Sequence, residues 1–210
     1  FIPIAERSTL IIDLDRWVLH QAARQLRTWC VDPDLAHIDI AVNASGRHLT
    51  SQRLHDHVIE LLDATGIDPH RLIIEITETV LVDDLHLAAA QLDAIRALGV
   101  RIALDDFGTG YTSIAHLQRL PIDIIKIDRS FVARLHNERE RALLKLITHL
   151  GHQLGMTITA EGIETPEQYA LLRELGCDRA QGFLMSRPLT PDTLEHWTGL
   201  RSTWQAGPVL

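Results

Sequence analysis

Along most of this chain, short apolar β-branched runs alternate with longer stretches of helical periodicity, and that alternation leaves few folds open. The short runs fall at 38–43, 72–76, 100–104, 123–127, 156–160 and 180–185. Helical patterns fall at 10–29, 51–65, 84–98, 112–119, 138–154, 166–175 and 191–197. Gly66, Gly99, Gly155 and Gly176 each follow a predicted last helical turn, where positive φ is favoured. Thr165-Pro166 and Thr190-Pro191 read as N-cap plus first helical position.

Most of the runs are apolar throughout, as parallel strands covered on both faces are. The expected class is therefore α/β, either a βα barrel or an open doubly wound sheet. No Gly-x-Gly-x-x-Gly sits at a first strand-to-helix turn, so the dinucleotide-binding form of the open sheet gains no support. Six strands are visible where a closed barrel needs eight. Either the sheet is open or two strands precede Phe1, and a first residue other than Met leads us to expect a piece of a longer product.

The 210 residues carry 20 Lys plus Arg against 28 Asp plus Glu, a net charge of −8. That balance argues against DNA or an anionic bilayer as partner, since both select clustered basic charge. No apolar run reaches the length of a membrane helix, and no secretion signal opens the chain. Two cysteines, Cys30 and Cys177, make no disulfide framework, so a cytoplasmic setting is expected. From Gly199 the composition turns to a Gly, Ser, Thr and Pro tail.

Nearly every predicted strand ends in a residue able to hold a metal or move a proton. In order these are Asn43, Glu75 and Glu78, Asp105 and Asp106, Lys126 and Asp128, Glu161 and Glu164, and Gln181. Strand C-termini of a βα barrel converge on the face that carries the active site. One acidic residue there reads equally well as a helix N-cap or a salt bridge; five successive strand ends do not. Crowded carboxylates need a compensating cation, and oxygen donors select Mg²⁺ or Mn²⁺ over Zn²⁺.

Asp105-Asp106 is the sharpest pair, because at a strand end the chain can turn so that one carboxylate bridges two ions and the other completes a shell. In the following Phe107-Gly108-Thr109-Gly110-Tyr111, the glycines read as a tight turn needing positive φ in preference to a phosphate cradle. Lys126, two residues before Asp128, is either a neutralising partner for the carboxylates or a lysine that orients a water. Twelve histidines include the pairs His55/His57 and His149/His152, but none ends a strand and no His-Glu-x-x-His occurs.

Asn43-Ala44-Ser45, Glu75-Ile76-Thr77-Glu78, Asp105-Asp106-Phe107-Gly108-Thr109-Gly110, Lys126-Ile127-Asp128, Ala160-Glu161-Gly162-Ile163-Glu164 and Gln181-Gly182-Phe183 stand in an order and spacing that resembles EAL domains. Phe1-Ile2-Pro3-Ile4-Ala5-Glu6 and Ser186-Arg187-Pro188-Leu189 resemble them too. The resemblance implies a modified TIM (β/α)8 barrel and hydrolysis of cyclic di-GMP to linear pGpG. It implies Asn43, Glu75, Asp105, Asp106 and Glu161 as ligands of two Mg²⁺ or Mn²⁺ ions, with Asp105 the bridge and Lys126 and Glu161 catalytic. Gln181, Asp128 and Ser45 would stand beside these ligands or the substrate, and Glu78 and Glu164 would anchor the loop after Asp106. That loop would also serve a homodimer, and sensor or GGDEF domains elsewhere in the parent protein would regulate it.

The expected EAL domain covers residues 1–198, followed by a tail at 199–210. The Glu-Ala-Leu signature, a ligating glutamate and the first two strands are expected upstream of Phe1, leaving 38–43 and 180–185 as exposed edges and the chain poorly folded alone. His48 stands where the family usually has Gln. The alternative to the enzyme is a catalytically inactive EAL-like domain that senses the nucleotide or engages a protein.

Overall fold

The computed structural model describes residues 1–78, 85–108 and 114–199. Its strands are β1 (Ile40–Asn43), β2 (Leu72–Thr77), β3 (Arg101–Phe107), β4 (Ile124–Ile127), β5 (Thr157–Ala160) and β6 (Arg179–Ala180). They form a six-stranded sheet in chain order, β1-β2-β3-β4-β5-β6. The registers of β1 with β2, β4 with β5 and β5 with β6 are parallel. Parallel strands laid down consecutively in one direction are barrel winding; a doubly wound sheet would reverse at a switch point.

Two compact units divide the chain. The first comprises Phe1–Leu104 and Gly110–Ile122. Its long helix α2 (Leu10–Trp29) follows the short α1 (Ile2–Ala5) and buries Ile11, Ile12, Leu19, Ala22, Ala23, Leu26 and Trp29 at three-to-four-residue spacing. Asp15 falls on that same buried stripe. Two helices, α3 (Gly46–Thr50) and α4 (Leu54–Thr65), follow β1, where the sequence predicts a single helix at 51–65. Ser45 explains the extra turn, because its side chain accepts from the His48 N–H and caps α3. Next along the chain are α5 (Leu85–Ala97) and the short α6 (Ile114–Leu117); the predicted starts of these helices, Asp84 and Thr112, lie outside the described residues.

The second unit comprises Asp105–Thr109 and Asp123–Leu210. It holds α7 (Arg129–Ala133), α8 (Glu138–Gln153), α9 (Pro166–Glu174) and α10 (Pro191–Gly199). Thr165 caps α9 in a full capping box with Gln168, as the Thr-Pro signal predicts. Gly151 lets α8 lie close on β5, since a Cβ there would come 2.4 Å from Ile158 Cδ1. Cys177 is buried after α9, and burial pushes its thiol up to about 12, whereas Cys30 is exposed at the end of α2.

Three expectations need correction. The strand predicted at 180–185 is two residues long, and 183–185 is turn. The cause is Gly182, whose Cβ position lies 2.1 Å from the Ile163 carbonyl oxygen, so the backbone there folds onto the β5 exit instead of running on beside it. The strand predicted at 100–104 runs on to Phe107, so both aspartates belong to it. Ile2–Ala5, not predicted as an element, is helical.

The predicted helix-ending glycines all have positive φ. The strands β2, β4 and β5 are buried nearly throughout, as their composition implies, while β1 exposes Ala41 and Asn43. No helix among the described residues is long and apolar enough to cross a membrane.

Candidate metal centre

The second unit gathers the chemistry from three strand ends. Asp105 and Asp106 come from β3, Lys126 from β4, and Glu161 from the residue after β5. One oxygen from each of Asp105, Asp106 and Glu161 lies within 4.8 Å of the others. Neighbouring strand residues ordinarily point to opposite faces. Asp106 escapes that rule with a left-handed φ of +54°, which brings its carboxylate to the side of Asp105. Its own N–H donates to Asp105 Oδ1 at 3.1 Å.

Lys126 is the counter-charge. Its Nζ lies 2.7 Å from Glu161 Oε1 and 3.1 Å from Asp105 Oδ1, and the three side chains are 8%, 19% and 14% exposed. At that degree of burial charges interact strongly, and a lone carboxylate would be costly. Three carboxylates against one ammonium still leave a formal −2 when all are ionised. The titrations carry the mark of that excess. Burial raises the Glu161 carboxyl above its ordinary value, with Asp105 and Asp106 adding to the effect and Lys126 opposing it. Burial likewise raises Asp106, followed by Asp105 and Asp128, against Lys126 and Arg129. A compact, all-oxygen, negatively charged cluster is the donor set of a hard divalent cation.

Other predicted residues take separate places. Asn43 and Glu75 are register partners across β1 and β2 in the first unit, and the pairing continues past them with the Ala44 N–H donating to the Glu75 carbonyl at 2.8 Å. Asn43 is exposed at the strand end, whereas Glu75 and Glu78 are buried. Ser45 Oγ donates to Asp15 Oδ2 at 2.6 Å. Asp128 stands after β4, where its side chain accepts from the Ser130 N–H at 3.0 Å and caps α7. Gln181 is exposed; its backbone N–H donates to the Ala160 carbonyl, and its carbonyl accepts from Ile163. Glu164 is exposed at the turn into α9. Gly108 has the positive φ expected of it, and a Cβ there would lie 2.6 Å from Phe131 Cε2. Thr109, Gly110 and Tyr111, the loop assigned to Glu78 and Glu164 and to dimerisation, lie outside the described residues.

Sequence reasoning passed over Asp15 and the burial of His48 and His57. The signal was available: Asp15 interrupts the apolar spacing Ile11, Asp15, Leu19, and a carboxylate on a buried stripe requires partners.

Comparison with known proteins agrees with this architecture. Residues 1–188 match the EAL domain family. The bifunctional diguanylate cyclase/cyclic di-GMP phosphodiesterase MucR of Pseudomonas aeruginosa is 40% identical over 92% of this chain and 28% of its own length. The oxygen sensor protein DosP of Escherichia coli is 40% identical over 94% of this chain and 25% of its own. The chain thus spans about a quarter of these relatives. Among solved structures, the MucR phosphodiesterase in complex with c-di-GMP aligns with a TM-score of 0.87, covering 92% of this chain and 78% of that one. A manganese and cyclic di-GMP complex of Klebsiella pneumoniae BlrP1 aligns at 0.76 with 30% identity, covering 86% and 45%. With this coverage and the strand-end carboxylates in place, the chain belongs to the EAL domain family.

Proposed function

We propose that this chain is the greater part of a metal-dependent phosphodiesterase domain that opens cyclic di-GMP to pGpG. The observation that carries the proposal is the half-buried Asp105/Asp106/Glu161 cluster with Lys126 beside Asp105 and Glu161. The cyclic di-GMP complex of MucR and the manganese complex of BlrP1 support the choice of ligand and ion.

Asp105, Asp106 and Glu161 would hold divalent cations, Mg²⁺ or Mn²⁺, with Asn43 and Glu75 as the further ligands the resemblance implies. Bound there, the cations supply charge stabilisation to a phosphoryl displacement. Lys126 orients the attacking water through its ammonium, while the carboxylates of Asp105 and Glu161 hold that ammonium in place. Gln181 flanks the substrate from the β6 end. The domain works as a homodimer, and sensor or GGDEF domains of the parent protein set the activity.

The test is divalent-dependent conversion of cyclic di-GMP to pGpG, with Asp105→Asn alongside. Turnover that requires the cation and is abolished in Asp105→Asn supports the enzyme. Cation uptake and nucleotide binding without turnover would assign the chain to a nucleotide sensor instead.

A further inference from the structure

In the first unit a buried polar chain runs from α2 to α4 through the turn that follows Asn43. Asp15 Oδ2 accepts from both the hydroxyl and the N–H of Ser45, at 2.6 and 2.9 Å. The same oxygen lies 3.4 Å from His48 Nδ1. His48 Nε2 and His57 Nδ1 are 2.9 Å apart, and the two rings are 5.1 Å centre to centre. His48 is fully buried, His57 and Asp15 are 6% and 7% exposed, and Ser45 is half-buried.

Proton accounting orders the chain. Two facing ring nitrogens share one proton, so His48 Nε2 and His57 Nδ1 pair through one hydrogen. The other ring nitrogen of His48 packs at 3.4 Å against the Asp15 carboxylate. Asp15 in turn grips Ser45, two residues past Asn43. Ser45 Oγ also accepts from the His48 N–H at 3.2 Å, so the turn is closed from both sides. The Ala44–Glu75 backbone bond ties the same turn to the strand carrying Glu75.

We infer that His48 and His57 are positioning residues for Asn43 and Glu75, setting through Asp15 and Ser45 the direction in which the chain leaves β1 and hence the strength of divalent binding. The inference rests on the reading of Asn43 and Glu75 as ligands. A group that hydrogen-bonds a metal ligand directly alters affinity by about 10–100-fold when lost; His48 and His57, which act through Asp15 and Ser45, should have a smaller effect.

The test is Mn²⁺ titration of the full chain, without nucleotide, followed by thermal unfolding of each variant. His48→Leu removes the group that faces Asp15 and pairs with His57, and is expected to weaken Mn²⁺ by a few-fold, below the roughly tenfold loss of a direct ligand partner. His48→Gln keeps an amide able to do both and should restore most of the loss, a rescue that a general packing defect would not give. His57→Ala, at the outer end of the chain, should weaken Mn²⁺ in the same direction and serves if His48→Leu does not fold. Folded variants that bind Mn²⁺ as the parent does would overturn the inference alone. A parent chain that takes up no Mn²⁺ would overturn the metal centre and this inference with it.

Discussion

Asp106 turns its backbone to a φ of +54°, and that turn sets its carboxylate beside that of Asp105, the residue before it in the strand. A non-glycine residue in this region costs about 1–2 kcal/mol, and the two like charges add to the cost. Such a conformation persists where the surrounding structure enforces it and is concentrated at functional sites. Asp106→Gly should therefore raise the melting temperature of the metal-free chain while weakening divalent binding and hydrolysis. Calorimetry with and without Mn²⁺ checks both halves; a lower melting temperature without metal would count against stored strain.

The raised carboxyls of Glu161 and Asp106 fix the sign of a pH effect. A carboxyl that holds its proton more tightly folded than unfolded stabilises the fold below the ordinary carboxylate range, and that contribution is lost as pH rises through the folded value. The metal-free chain should lose stability over that rise, and a divalent cation should restore it at the upper end. Urea midpoints across the acid range, with and without Mg²⁺, would show the two curves diverging as pH increases.

Lys126 is one ammonium shared by two enclosed carboxylates. Lys126→Met leaves those charges without a cation, a loss of about 3–5 kcal/mol for a broken buried pair. Adding Asp105→Asn to Lys126→Met should return part of the stability and none of the turnover. A double variant no more stable than Lys126→Met would mean that the two groups are not energetically coupled.

Gly182 meets the Ile163 backbone so closely that a methyl group has no room. Gly182→Ala should cost about 1–3 kcal/mol, as overpacking does, and should lower activity through the displaced Glu161 turn. Hydrogen exchange at Ile163 and Leu184, whose N–H groups donate across this junction, reports the displacement.

Much of this molecule was readable as sequence because its signals are local. Apolar runs, Thr-Pro caps and helix-ending glycines locate elements by chain-neighbour chemistry, and strand-end carboxylates announce a cation site by type alone. What escaped depends on partners distant in the chain. The length of β6 is set by the approach of Gly182 to Ile163; a glycine inside the run hints at a close approach, but its partner, nineteen residues back, is not readable locally. The extra helix α3 depends on Ser45 serving as a cap while its hydroxyl donates to Asp15, thirty residues away. His48 and His57 look like surface histidines until α2 is folded over them with Asp15 on its buried stripe.

The contrast between the two cysteines has a practical consequence. The Cys177 thiol, enclosed and pushed up to about 12, offers almost no thiolate to a reagent at neutral pH, while Cys30 stands in the open at the end of α2. A maleimide dye should therefore attach at one address without mutagenesis, far along the chain from every residue of the carboxylate cluster. The native sequence thus carries its own handle for fluorescence or spin-label measurements of cation uptake.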